Sequence, residues 1–110
     1  MGRFKIKGGN KMKKKYYSLF EGRHELPENE GAVFSEFDFE TFTPKFTEVG
    51  CWVIAGRNTE HNVYVTGLTP ALCFLIEKFV EINKFQKLNS KLVLWHYDRD
   101  TNSYRISGVF

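Results

Sequence analysis

Polar side chains that could do chemistry lie at the end of the last long apolar run of the chain. His96 and Asp98 are two residues apart, and Arg99 follows them directly. A histidine and a carboxylate can act as acid, base or metal ligand, whereas an arginine pairs readily with phosphate. We therefore predict His96 and Asp98 as catalytic candidates and Arg99 as a ligand-binding residue.

A second group of candidates precedes the longest helix-like segment. Gly67, Leu68 and Thr69 follow the apolar run 62–66, and Pro70 comes next. Gly67 lets a ligand approach the backbone closely, and the free N–H groups of a first helical turn suit a phosphate or carboxylate. We predict that Gly67, Leu68 and Thr69 bind the ligand. The alternative is structural, because Thr69 and Pro70 are typical of any well-capped helix.

Two of the candidates on the other side of the site also have a structural alternative. Asp98 opens a run of turn-forming residues that extends to Asn102, and Asx side chains in such turns bond to their own backbone. His96 follows Trp95 and could be a hydrogen-bonded histidine within a sheet. Arg57 and His61 lie in a predicted turn at the opposite end of the sheet, so we do not expect them in this site.

A strand–helix–strand unit would position these residues. Residues 62–66 predict a strand, the apolar stripe of residues 69–85 predicts a helix, and residues 91–98 predict a strand buried on both faces. A βαβ crossover makes its strands parallel, so their ends meet at one edge of the sheet. A turn at 98–103 and a strand at 104–110 complete the unit as a hairpin.

The N-terminal half predicts further strands. A first strand is expected at 16–21, an alternating half-buried strand at 32–43, and an antiparallel hairpin between residues 50–55 and 62–66. Together these elements predict an α+β fold, with a mostly antiparallel sheet and one main helix in a C-terminal βαβ-hairpin unit. We expect this fold to be ferredoxin-like or related.

An acidic face marks the alternating strand of the N-terminal half, where Glu36, Asp38 and Glu40 share one side. Side chains two residues apart on a strand are separated by nearly 7 Å, from the rise of roughly 3.3 Å per residue. Three in a row cannot easily close around one ion, so we predict no metal site. Such a face either keeps an edge strand soluble or binds a basic partner.

The composition fits one globular domain. The 110 residues can bury a single core, and the net charge of +3 comes mostly from lysines near the N-terminus. We expect residues 1–11 to be a flexible basic leader and residues 12–110 to be a single α+β domain. The chain has no run of about 18 apolar residues, so we expect no membrane partner.

The two cysteines, Cys51 and Cys73, have neither a metal-binding spacing nor the pattern of a disulfide framework. Both lie in apolar runs, so we expect two buried free thiols in a cytoplasmic protein. No cofactor is predicted.

Aromatic residues are unusually frequent, with 11 phenylalanines among 110 residues. Several of them exceed what one helix can cover, so we expect some to meet a partner and the protein to be a homodimer. These residues are Phe34, Phe37, Phe39, Phe42 and Phe46.

A lysine run followed by tyrosines, at residues 13–15 and 16–17, is typical of proteins that bind single strands. The rest of the chain is not basic and has no RNP-like pattern. The sequence therefore does not predict a dedicated RNA-reading sheet.

The C-terminal half resembles a known family. An apolar strand ending in Gly67, a proline at position 70, a helix, and an apolar strand ending in Tyr97-Asp98 are similar to the small CRISPR-associated ring nucleases, which bind and cut cyclic tetra-adenylate between ferredoxin-like dimers. Members carry histidines on the helix near the cut site, whereas residues 70–88 contain none. The resemblance carries across only Asp98 and the loop glycine Gly67. It implies a related fold and binding of a cyclic or linear oligoadenylate.

Two functional hypotheses follow. The first is a small cytoplasmic domain that binds a nucleotide or cyclic oligonucleotide at the end of the βαβ unit, in CRISPR or phage defence signalling as the resemblance implies. A cyclic oligonucleotide phosphodiesterase activity stays open, because no complete nucleophile–base pair is visible. The alternative is a phage or mobile-element interaction or inhibitor protein that binds a protein partner through Glu36, Asp38 and Glu40.

Overall fold

The computed structural model describes residues 12–20, 26–65 and 69–110. Within this part of the chain, strands and helices follow one another as β1 (Lys13–Ser18), β2 (Phe34–Asp38), β3 (Thr43–Phe46), α1 (Glu48–Ala55), β4 (Thr59–Tyr64), α2 (Thr69–Gln86), β5 (Lys91–Asp98) and β6 (Ser103–Val109). The predicted α+β class with one main helix is confirmed. The leader at residues 1–11 lies outside the described residues.

The main sheet has the strand order β1-β4-β5-β6. β1 pairs with β4 in parallel, β4 pairs with β5 in parallel, and only β5 and β6 are antiparallel. The predicted βαβ crossover and its hairpin return are therefore confirmed, and β5 is central as expected. The prediction of a mostly antiparallel sheet is wrong for this sheet. The element order also differs from the β-α-β-β-α-β order of ferredoxin-like folds.

Residues 48–55 form α1, so the predicted strand at 50–55 and its hairpin with residues 62–66 are wrong. Thr47 caps this helix, because its hydroxyl oxygen accepts a hydrogen bond from the Gly50 N–H at 2.9 Å. A side chain at Gly50 would place its Cβ 2.0 Å from the Val33 carbonyl oxygen, so the helix can sit here only with glycine at this position. A short apolar run does not distinguish a strand from a buried helix, which explains the error.

The predicted strand at 32–43 is instead the hairpin β2–β3, which forms a separate two-stranded sheet. We call β2, β3 and the turn at 39–42 the acidic hairpin. Asp38 holds its turn, because its Oδ1 atom accepts the N–H of Glu40 at 2.8 Å and of Thr41 at 3.3 Å. Phe42 has a φ of 58°, a left-handed conformation that reverses the chain.

One face of the main sheet, here called the helix face, carries the core. Buried apolar side chains of both helices join those of the strands in one cluster. Its largest members on α2 are Leu75 and Phe79, and those on the central strands are Val63, Leu92 and Leu94. The opposite side, here called the open face, carries the alternate residues of the same strands. The two faces therefore present different chemistry.

Two expectations about exposure need correction or qualification. Cys51 and Cys73 are both exposed free thiols, not buried ones, because they lie on the outer sides of α1 and α2. Phe34 and Phe46 pack within the chain against Phe74, so they do not require a partner to cover them. In the described part of the chain, neither helix has the length and apolar character needed to cross a membrane.

Candidate functional site

An open pocket of about 470 Å³ lies on the open face, at the edge of the sheet where the parallel strands end. We call it the aromatic pocket, because most of its apolar lining is aromatic. It is lined by Leu26, Pro27, Tyr64, Trp95, Tyr97, Asn102, Ser103 and Tyr104.

Strand alternation and register bring the aromatic side chains together. Trp95 and Tyr97 are two residues apart on β5, so they project on the same face. Tyr64 is registered with Trp95 on one side, and Tyr104 is registered with Tyr97 on the other. Ring centroids of Tyr97 and Tyr104 are 5.5 Å apart, and those of Tyr64 and Tyr104 are 5.0 Å apart, both edge to face. The pocket therefore has a preformed aromatic wall.

A buried amide fixes the indole of Trp95. Its Nε1–H donates to Asn62 Oδ1 at 2.8 Å, and Asn62 is itself buried in the neighbouring strand. The Asn62 amide nitrogen donates in turn to the Lys15 carbonyl at 3.3 Å and to a Glu60 carboxylate oxygen at 3.1 Å. These bonds hold the ring plane without a ligand, so the indole is oriented before anything binds.

The tyrosines of the pocket remain neutral phenols at physiological pH. Burial, followed by the neighbouring phenols, raises the pKa of Tyr64 and of Tyr104 above the ordinary value. The Tyr97 hydroxyl donates to the Asn102 side-chain oxygen, which ties the end of β5 to the turn before β6. Neutral rings stacked in this way offer apolar π surface with hydroxyl groups at its rim.

Asp98, a predicted catalytic residue, stabilises the turn after β5. Its Oδ1 accepts the backbone N–H of Asp100 at 2.9 Å, and its Oδ2 lies 3.3 Å from a guanidinium nitrogen of Arg105. The backbone donor, with a smaller contribution from Arg105, holds the pKa of Asp98 below its ordinary value. The structural alternative for Asp98 is therefore realised, and its basic partner is Arg105.

His96 and Asp98 share the parity of Leu92 and Leu94 on β5, so alternation places them on the helix face rather than in the pocket. His96 is exposed, and its Nδ1 atom bonds to the Ser107 hydroxyl. Between the described residues, no hydrogen bond joins His96 to Asp98. The structure does not assemble these two residues into an acid–base pair.

The predicted ligand-binding residues lie at the same edge of the sheet as the aromatic pocket. Thr69 is exposed at the start of α2, and Arg99 is exposed in the turn that follows Asp98. Gly67 and Leu68 lie outside the described residues. No group of three or more His, Cys, Asp or Glu side chains suited to a metal ion occurs in residues 12–20, 26–65 and 69–110.

His61 is a buried histidine that sequence reasoning placed in a turn. It lies in β4 on the helix face, where its Nδ1 is 3.2 Å from the Tyr17 hydroxyl and its ring meets Phe79 edge to face. Nε2 has no hydrogen-bond partner in the described part of the chain. Burial lowers the pKa of His61 to about 4, although the Gly56 backbone opposes this shift. The ring is neutral at physiological pH and belongs to the core.

Sequence reasoning missed the residues of the aromatic pocket. A usable signal was present, because Trp95 and Tyr97 alternate on one strand and Tyr104 is their hairpin partner. That signal needed the strand face to be assigned, and the apolar run of β5 hid which face the helices cover. No protein-family model, curated protein or solved structure matches this chain, so the resemblance to ring nucleases stays a prediction.

Proposed function

We propose that the protein binds a nucleotide or an oligonucleotide, with a base in the aromatic pocket at the carboxyl end of the βαβ unit. The observation that supports this most is the open pocket walled by Trp95, Tyr97 and Tyr104. Bases stack on aromatic side chains, and each stacked base contributes about 1–3 kcal/mol to binding. A wall of neutral rings fixed before binding suits a flat, apolar base face.

The polar groups around the pocket suit the rest of a nucleotide. The Asn102 amide and the Ser103 hydroxyl line the pocket and can bond to base or ribose edges. Arg99 lies in the same turn and is exposed, so it can pair with a phosphate. The start of α2 at Thr69 follows β4 at this edge and offers backbone N–H groups of the first turn.

The proposal is binding, without cleavage. Asp98 accepts two hydrogen bonds and has a lowered pKa, so it is a weak base at neutral pH. His96 lies on the other face from the aromatic wall. A cyclic oligoadenylate, which the resemblance implies, is one ligand of the proposed class and belongs in the test.

Tryptophan fluorescence tests this proposal. The chain has two tryptophans, and Trp52 is 64% exposed on α1, so Trp52→Phe leaves Trp95 as the only reporter without disturbing the core. We expect AMP, short linear oligoadenylates or cyclic tetra-adenylate to quench Trp95 saturably. In the same background, Tyr97→Ala should weaken binding by about tenfold or more, from the loss of one stacking wall.

A matched control is Phe85→Ala, which removes an exposed aromatic ring from α2, away from the pocket. We expect this variant to bind like its parent. If none of these ligands quenches Trp95, or if Tyr97→Ala and Phe85→Ala behave alike, the proposal is wrong.

A second candidate function is binding of a basic protein partner through the acidic hairpin. Phe39 and Phe42 at its turn are 71% and 59% exposed, next to the carboxylates of Glu36 and Asp38. Exposed aromatic rings beside acidic groups suit an apolar pocket with a basic rim. Phe39→Ser with Phe42→Ser should abolish partner capture and leave nucleotide quenching of Trp95 unchanged, whereas Tyr97→Ala should do the reverse.

A further inference from the structure

The outer edge of β6 is unpaired in the described part of the chain. β6 is the last strand in the sheet order, with β5 as its neighbour. Its seven residues, Ser103–Val109, present backbone N–H and C=O groups along this edge. Ile106 and Val109 are registered with the open-face residues Trp95 and Val93, and they are 55% and 58% exposed. The edge therefore combines free hydrogen-bonding groups with exposed apolar side chains.

Free edges are normally protected against pairing with another chain. Lysines, prolines, unpaired charges or a covering segment serve this purpose. Ser103–Val109 contains no lysine and no proline, and its one charge, Arg105, is paired with Asp98 of β5 at 3.3 Å. The one irregularity in its pairing with β5 twists the strand but places no charge on the edge. β6 is thus able to accept a further strand.

We propose that β6 pairs antiparallel with β6 of a second copy of this chain. The sequence is self-complementary in that arrangement, because full overlap of Ser103–Val109 with itself is centred on Ile106. Arg105 is then opposite Ser107, and Tyr104 is opposite Gly108, so no like charges face each other across the pair. The contact is the same surface on both copies and closes as a two-fold dimer.

The dimer has one continuous sheet of eight strands. A two-fold axis at the β6–β6 pair stands perpendicular to this sheet, so both open faces are on the same side. The four exposed apolar side chains contributed by Ile106 and Val109 of the two copies then lie next to one another and lose contact with water. This inference concerns assembly and does not depend on a nucleotide ligand.

Sedimentation velocity or light scattering of the full chain tests the proposal over a range of concentrations. We expect a mass twice the 12.9 kDa of one chain, and a mass of one chain for Ile106→Lys. Ile106 is exposed, so this variant should keep its circular dichroism spectrum. Val80→Lys is the matched control, because Val80 is an exposed β-branched residue on α2, and it should remain a dimer.

Hydrogen exchange of β6 adds a second measurement that does not depend on a variant. The amides of Ser103–Val109 that point away from β5 should be protected in the dimer and should lose protection on dilution. A wild-type mass of one chain, an open-ended series of oligomers, or a dimer that survives Ile106→Lys would each overturn the proposal. Dissociation of Val80→Lys as well would overturn the assignment to β6.

Discussion

The two faces of the main sheet use aromatic side chains in different ways. On the helix face, Phe79 and Tyr17 are buried around His61 and pack with aliphatic side chains. On the open face, Trp95, Tyr97 and Tyr104 line a pocket that solvent can enter. We infer that the helix face determines the stability of the fold, whereas the open face is available for binding. Substitutions on the two faces should therefore separate stability from ligand affinity.

The largest effect is expected for a truncation on the helix face. Phe79→Ala removes a ring that is 1% exposed and should lower the free energy of unfolding by about 3–5 kcal/mol. Tyr97→Ala, on the open face, removes a ring that is half exposed and should destabilise far less. Urea denaturation of both variants measures this difference. Equal losses would mean that the open face also belongs to the core.

Acid should destabilise the helix face through His61. The unfolded state takes up a proton near pH 6.5, whereas burial lowers the pKa in the folded state to about 4. Stability is therefore complete above pH 6.5 and is lost as the pH falls towards 4, by roughly 3 kcal/mol in total. The midpoint of urea denaturation measured across this pH range gives the loss directly.

Two variants separate His61 from other acid-sensitive groups. His61→Leu should flatten the dependence between pH 6.5 and pH 4, because no proton is then excluded from the folded state. His96→Leu, which changes an exposed histidine, should keep the dependence. An unchanged slope in His61→Leu would contradict the assignment.

A smaller effect is expected from the charge at the rim of the pocket. Arg99→Ala should weaken nucleotide binding by a few-fold and leave stability unchanged, because the guanidinium is exposed and would contact phosphate alone. The weakening should diminish as salt is added, since salt screens exposed charges. Adenosine, which has no phosphate, should bind both forms equally. If adenosine is also affected, Arg99 acts in another way.

The smallest effect is expected for Asp98→Ala. The carboxylate is exposed and stabilises the turn before β6, and its lowered pKa means that this stabilisation is present at neutral pH and is lost as the pH falls. Thermal denaturation at neutral pH should show a small decrease, with nucleotide binding retained. A complete loss of binding would instead return Asp98 to the ligand site.

The sequence predicted the C-terminal unit well because its signals are local and strong. Thr69 and Pro70 mark the start of α2, its apolar stripe has helical spacing, and the run in β5 is long enough to identify a central strand. The parallel pairing of β4 and β5 then follows from the crossover between them. These elements place the edge of the sheet at which the candidate residues were expected.

The errors in the N-terminal half arise where local pattern is ambiguous. Residues 50–55 are apolar without a clear period, and the close approach of Gly50 to Val33 that selects a helix is a tertiary contact. Alternation runs through the turn at 39–42, where the left-handed conformation of Phe42 has no sequence signature. The aromatic pocket was missed for a related reason, since the face that the helices cover is decided by the whole sheet.

Nuclear magnetic resonance of the two tryptophan side chains tests the difference between the faces most directly. Trp95 lies in the aromatic pocket with its indole N–H bonded to Asn62, and Trp52 is exposed on α1 as an internal control. On titration with AMP or cyclic tetra-adenylate, we predict that the Trp95 indole signal shifts saturably while the Trp52 signal stays in place. A saturable shift of Trp52 alone, or of neither, would contradict the assignment of the open face as the binding face.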